Sequence, residues 1–389
     1  MAKFNLKILL LLSVGHLTTD IYQGALPSIL PFLKDELSLS YTMTGFIMIM
    51  SNLTSSVLQP VFGYFSDRKE KPILLPLGVF GAGVGLSLLS LPSNYTAVLV
   101  LVTISGLGVA SYHPEGYKTA RFFAGDRLAT TGMSFFAVGG NLGFAIGPVL
   151  AMFTVKYFGF SGLPLIMIPS LAVAGAILLL KNTLALPELP HHFKKDTAYR
   201  TPKGSYRSLS LIIGVVIMRS WTQMGLMAYI PFYYINYLKG DAIYAAKLVS
   251  VLLFGGAVGT LAGAPIADRW GHRRFLRVSM FIAALVFPLV LITTGSMLFV
   301  SLFVLGMILV STFSVTVVMA QNLLPKNLGI ASGLMVGFAI GTGGIGVTVL
   351  GVIADAFGVP FALRSITVLP VLGFLLSMVL QYPIRQEEE

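Results

Sequence analysis

Gly63-Tyr64-Phe65-Ser66-Asp67-Arg68-Lys69-Glu70-Lys71 stands between two apolar runs, and Ala264-Pro265-Ile266-Ala267-Asp268-Arg269-Trp270-Gly271-His272-Arg273-Arg274 stands between two others. The Asp-Arg pairs begin at 67 and 268, an offset of 201 residues. The same offset lays Gly132-Met133 on Gly333-Leu334 and Gly140 on Gly341. The chain therefore reads as two similar halves, each with a charged loop joining long apolar segments. Such parallel repeats predict a carrier that rocks one half against the other.

Around these loops, twelve apolar runs are long enough to cross ~30 Å of hydrocarbon. They lie near 6–33, 42–65, 73–92, 97–120, 128–155, 161–181, 209–237, 243–266, 275–294, 297–321, 328–354 and 360–382. Residues 182–208 are polar, with Pro187, Pro190, His191, His192, Lys194, Lys195, Arg200, Lys203 and Arg207. The expected fold is an all-α integral membrane protein. Its twelve transmembrane helices form two pseudo-symmetric six-helix bundles, 1–181 and 209–389. A cytoplasmic linker, 182–208, joins them, and a short tail ends the chain.

Composition agrees. Only 11% of the 389 residues are charged and 56% are hydrophobic, whereas soluble domains carry roughly 25% charge. The mean hydropathy is +0.86. The 41 Gly and 20 Pro suit membrane helices, where neighbours re-satisfy freed backbone groups. The absence of Cys excludes disulfides and thiolate metal sites. The first run is too long for a cleaved signal peptide and is read as a permanent span. The net charge of +11 points to topology rather than nucleic acid. With the N-terminus inside, only Lys34, Lys156, Lys239, Lys247 and Arg364 of the 26 Lys and Arg fall outside, and Arg219 lies within a span. That bias predicts cytoplasmic termini.

The paired loops resemble the signature of the major facilitator superfamily. In the first copy Lys69-Glu70 replaces the usual Gly after the Arg, and in the second Ala264 replaces a Gly. Gly139-Gly140-Asn141-Leu142-Gly143-Phe144-Ala145-Ile146-Gly147-Pro148 is similar to the Gly-x-x-x-Gly-Pro motif of exporters that exchange substrate for protons. Further stretches resemble the bacterial fosmidomycin-resistance family: His16-x-x-x-Asp20-x-x-Gln23, Leu58-Gln59-Pro60, His113-Pro114-Glu115, Ala320-Gln321-Asn322 and Leu350-Gly351-Val352-Ile353-Ala354-Asp355. The resemblance implies a drug:proton antiporter of the bacterial inner membrane, exporting drugs that include a small phosphonate. An importer or facilitator of a small metabolite on the same fold is the alternative. The expected partners are a small-molecule substrate, protons and the bilayer, and a monomer is expected. No nucleotide-binding loop, nucleophile elbow or zincin helix appears, so neither an enzyme, a cofactor nor a metal is anticipated.

Ionisable groups at membrane depth are costly, by ~2.5–3.5 kcal/mol on insertion scales, and mark candidate sites. His16, Asp20 and Gln23 are spaced to share one helix face. Burial favours a protonated Asp20 and a neighbouring cation an ionised one, so Asp20 is either a proton carrier or an interhelical anchor. Pro114 lacks an N–H and tends to kink its helix. His113 and Glu115 cannot face the same way, and Glu115 either carries a proton or locks Lys118 or Arg121. Arg219 lies mid-span and needs an anion, and its fork suits a phosphonate or carboxylate. Gln23, Asn141, Trp221, Gln223, Tyr229 and Gln321 are further candidates for lining the substrate path. Gly63, Asp67, Arg68, Asp268, Arg269, Gly147 and Pro148 are gating candidates. Asp67 is expected to bond the N-terminus of a facing helix, with Asp268 and Arg269 acting likewise in the second half. Pro148 is expected to break the fifth span. Gly139, Gly143 and Gly147 form a bare face for helix contact, sliding or static.

Overall fold

The computed structural model describes residues 4–39, 41–68, 72–185, 205–234, 242–339 and 341–382. Lys69-Glu70-Lys71, most of the linker (186–204) and the tail (383–389) lie outside the described residues. Among the described residues the fold is entirely helical. The helices are α1 (Leu6–Glu36), α2 (Phe46–Asp67), α3 (Leu74–Ser90), α4 (Tyr95–Ala124), α5 (Ala129–Phe158) and α6 (Phe160–Leu179). They continue as α7 (Ser205–Phe232), α8 (Ala242–Trp270), α9 (His272–Ile292), α10 (Gly295–Leu323), α11 (Leu328–Phe357) and α12 (Val359–Val379). Ten of them are long and apolar enough to cross a membrane, and α1 and α3 complete the expected twelve.

Local chemistry sets the helix ends. Asn5 and Asn94 cap α1 and α4, their side chains accepting from the N–H groups of Ile8 and Ala97. Gly271, in the second charged loop, has φ +87°. That conformation suits glycine and allows the sharp turn from α8 into α9. Two segments leave α geometry: Leu53–Val57 in α2 and Gly333–Ala339 in α11 are π-helical. Such bulges often mark functional sites.

Two expectations are corrected. Pro148 does not break the fifth span, because α5 runs unbroken from Ala129 to Phe158. Packed membrane helices can re-satisfy the carbonyl that a proline frees. The last linker residues, from Ser205, already belong to α7.

The chain packs as two compact units. The first comprises 1–199 with 325–338, the second 200–324 with 339–389. By chain order 325–338 falls in the second half, yet by packing it joins the first. The first unit's core gathers Tyr22, Ile29, Leu33, Ile47, Leu86 and Val98. The second gathers Leu226, Phe287, Leu302, Leu305 and Leu350. Large apolar side chains such as Phe80, Val149, Phe254 and Leu285 remain exposed. On a multi-pass protein such a surface meets lipid rather than water.

Candidate functional site

In the first unit α5 lies directly on α1. Gly139, Gly143 and Gly147 press on the carbonyls of Ser13, Leu17 and Ile21. Four-residue steps on both helices keep the backbones in register, so the bare face is a packing seam within this unit. Gly140 sits beside that seam. A Cβ there would lie 2.7 Å from Asp20 Oδ2 and collide with the His16 ring. The missing side chain makes room for a polar cluster.

That cluster joins α1, α2, α4 and α5. Asp20 is only 8% exposed. His16 Nε2 lies 3.3 Å from Asp20 Oδ2 and His113 Nε2 lies 2.9 Å from Asp20 Oδ1. His16 Nδ1 lies 2.9 Å from the Phe136 carbonyl, and the Phe136 ring stacks on the imidazole. Gln59 Nε2 bonds the Ser55 carbonyl at 2.8 Å and His113 Nδ1 at 3.0 Å. Pro60 has no N–H for the preceding turn, and the side-chain amide of Gln59 takes the Ser55 carbonyl.

These contacts assign the hydrogens. A carbonyl only accepts, so His16 Nδ1 carries a hydrogen toward Phe136. The Gln59 amide nitrogen donates to His113 Nδ1, so the His113 hydrogen sits on Nε2 and points at Asp20. Only the His16 Nε2–Asp20 Oδ2 contact is left open. With one proton it is an imidazolium–carboxylate or imidazole–acid pair. Without one, two electron pairs face each other. The contacts thus leave one hydrogen position in the cluster unassigned, between His16 Nε2 and Asp20 Oδ2.

The same three residues offer ligand-type atoms within 4.8 Å of one another. The histidines, dispersed along the chain, converge through folding. Because the His113 Nε2 hydrogen faces inward, that ring is presented as a donor and not as a metal ligand.

Glu115 belongs to a separate cluster, facing away from His113 as their spacing requires. It is 1% exposed and accepts from Ser66 Oγ at 3.1 Å. Lys118 Nζ lies 3.8 Å from Glu115 Oε1 and donates to the Ser66 carbonyl. Next to it, Asp67 accepts from the N–H groups of Gly329 and Ile330 at 2.8 and 3.0 Å. The facing helix N-terminus expected for Asp67 is therefore the start of α11. Gly63 touches the Gly329 carbonyl, and Arg68 lies over the Tyr64 ring at 3.8 Å. Gln23 donates to Ser55 Oγ at 3.3 Å and lines a small cavity with Tyr22, Ser51 and Ser105. Asn141 is exposed.

In the second unit Arg219 is 3% exposed and donates to Thr312 Oγ1 at 3.1 Å. Its guanidinium lies 5.5 Å from the Phe313 ring centre. Trp221 Nε1 donates to Thr342 Oγ1 at 3.3 Å, and its ring presses on Gly346. Tyr229 donates to the Val347 carbonyl at 3.1 Å. Both aromatics thus pack on the second part of α11. Gln223 is half-buried and Gln321 fully buried. Asp268 pairs with His272, one turn on, at 3.4 Å, and Arg269 follows it at the end of α8.

Gln59, Ser66, Gly140 and the Phe136 carbonyl were not singled out as site groups from the sequence. Gln59 carried a readable signal, an amide inside an apolar run directly before Pro60. A backbone carbonyl carries none.

Twelve helices with buried ionisable clusters in each unit have the architecture of a multi-pass membrane carrier. The chain belongs to the Major Facilitator Superfamily, whose family model matches residues 12–334 and 238–389. It is 33% identical over 386 residues to the "Fosmidomycin resistance protein" of Escherichia coli K12, covering 96% of this chain and 93% of that one. It is 34% identical over 375 residues to "Uncharacterized MFS-type transporter YfnC" of Bacillus subtilis 168, covering 95% and 91%. In fold it is similar to the E. coli fucose:proton symporter FucP, with TM-score 0.75 at 14% identity over 96% of this chain and 98% of that one.

Proposed function

We propose that the protein is a secondary active exporter that exchanges a small drug or metabolite, an anionic phosphonate such as fosmidomycin among its cargoes, for protons by alternating access. One observation carries the proton half of this reading: the buried His16–Asp20 contact, whose outer hydrogen-bonding positions are all assigned, leaves one place for one proton. A proton entering there turns a repulsive contact into an attractive one, and its loss reverses the change. Differential stability of the two protonation states is what lets a proton gradient bias a conformational equilibrium. Glu115 already holds Ser66 and faces Lys118, which supports a structural role at the α11 contact and leaves Asp20 as the carrier.

Arg219 supports the cargo half. A buried guanidinium in the seventh span favours an anionic group, and the relative named for fosmidomycin resistance points to a phosphonate. Asp67, Gly63 and Arg68 act as a gate through α11, and the lysine and arginine bias supports cytoplasmic termini for a bacterial inner-membrane protein. Reconstituted protein given an outward fosmidomycin gradient should move protons in the opposite direction, and Asp20→Asn should abolish that movement. Cargo flux indifferent to pH, in the wild type, would overturn the coupling.

A further inference from the structure

Gln59 has a second set of contacts that the proton site alone does not need. It is 3% exposed, and α11 lies against its back. A Cβ on Gly337 would come within 2.5 Å of Gln59 Cβ and of the Ser56 carbonyl, and 2.9 Å from Gln59 Cδ. A Cβ on Gly333 would lie 2.7 Å from the Gln59 carbonyl. Gly329 continues the ladder against Gly63. Glycines at 329, 333 and 337, four residues apart, thus let α11 settle onto α2 backbone to backbone. The two π-helical segments meet at this place, Ser56 in one and Gly333 and Gly337 in the other. The segment 325–338 is continuous at both ends with the second unit, so it is the part of the first unit that a rearrangement of the second would pull away.

We propose that Gln59 is a positioning residue that couples the docking of residues 325–338 to the proton occupancy of the His16–Asp20–His113 cluster, through His113 Nδ1. This rests on the reading of that pair as the coupling site. With α11 docked, the glycine face holds the Gln59 side chain, the Ser55 carbonyl orients its amide, and the amide nitrogen keeps His113 Nδ1 free of a proton. Among the described residues Gln59 Oε1 has no hydrogen-bond partner, so rotation of the amide once α11 withdraws gives up the Nε2 bonds to the Ser55 carbonyl and His113 Nδ1 and gains one to Oε1. Rotation turns Oε1 to His113 Nδ1, which then binds a proton and becomes an imidazolium beside Asp20. Undocking therefore raises the cluster's proton occupancy, and re-docking expels the proton. By linkage, protonation favours undocking by the same factor. The other groups facing the cluster cannot substitute for Gln59. From α1 comes His16, held by the Phe136 carbonyl of α5. From α4 come Tyr112, whose OH donates to the Leu12 carbonyl at 2.6 Å, and Tyr117, edge-on to His16. From α5 come Gly140 and the Phe136 ring.

The test uses the reconstituted full chain, with fosmidomycin flux against pH and nitrogen NMR of the histidine rings, the His113 signals assigned by loss in His113→Gln. In the wild type with residues 325–338 docked, His113 should be neutral with its hydrogen on Nε2. Gln59→Leu removes the opposing donor and should raise the pH midpoint of transport by about one unit. Gln59→Glu supplies an acceptor, should raise it further, and should place a second hydrogen on His113. Gly337→Leu, or the milder Gly337→Ala should the larger variant not fold, touches no ionisable group. It should shift His113 in the same direction, and should add nothing in the Gln59→Leu background. If Asp20→Asn abolishes pH dependence while the Gln59 and Gly337 variants leave His113 and the midpoint unmoved, the role assigned to Gln59 is wrong and the exchanger reading stands. If Asp20→Asn leaves pH dependence intact, the exchanger reading itself fails.

Discussion

At the level of single residues, the buried His16–Asp20 cluster depends on a side chain that is absent. Gly140 is adjacent to the α1 seam, and any Cβ there meets Asp20 Oδ2 and the His16 ring. Gly140→Ala should therefore cost about 1–3 kcal/mol of overpacking. A lower melting temperature in detergent, together with a loss of proton-coupled flux larger than the loss of cargo binding, checks this. Equal losses would mean general unfolding. Arg219 makes the complementary case in the second unit. Replacement by Gln should keep the Thr312 contact and remove the charge. Thermal stabilisation by phosphonates and organic acids should then fall about tenfold in ligand concentration, the equivalent of one lost charged hydrogen bond. Neutral and cationic drugs should be unaffected. A uniform loss across all ligands would make Arg219 a packing residue.

At the level of helices, the contact of α2 with the start of α11 is a latch of two parts. The glycine ladder supplies close approach, and the Asp67 carboxylate supplies two bonds to the N–H groups of Gly329 and Ile330. Hydrogen bonds to a charged group are worth about 1.5–3 kcal/mol each, and the carboxylate also opposes the positive end of a helix dipole. Asp67→Ala should loosen the latch by a few kcal/mol. The chain has no cysteine, so one introduced thiol reports cleanly. Ser332 is buried at this contact, and Ser332→Cys should react slowly with a maleimide in the otherwise wild-type chain and at least tenfold faster with Asp67→Ala. Unchanged reactivity would show that the glycine ladder holds the segment alone. The fifth span uses the same device within one unit: its glycines dock on α1, with the buried His16–Asp20 cluster beside the seam.

Across the whole chain, the two halves repeat in sequence. The repeat lays Asp268 on Asp67; Asp67 holds the start of α11, and Asp268 pairs with His272 among its contacts. Likewise the ionisable cluster with an assigned proton position lies in the first unit and the buried arginine in the second. Under the proposed function this is a division of labour, with proton coupling and the α11 latch assigned to the first half and anion binding to the second. Residues 325–338 tie the two by chain continuity, because they pack with one unit and are spliced into the other.

Hydropathy, the positive-charge bias and the repeated Asp-Arg loops were sufficient for the twelve helices and for the carrier class, because lipid forces every span to close its own backbone hydrogen bonds and leaves a long apolar run one structure to adopt. The same scarcity of membrane charge exposed Asp20, His113, Glu115 and Arg219 as candidates. What the chain could not disclose was pairing. Which carbonyl meets His16, which amide faces His113, and which stretch of α11 lies on Gln59 depend on helices far apart in sequence. Tertiary packing alone brought Phe136, Gln59 and Gly140 to Asp20, and hydrogen-bond direction, which is a property of neighbours in space, decided where the proton sits.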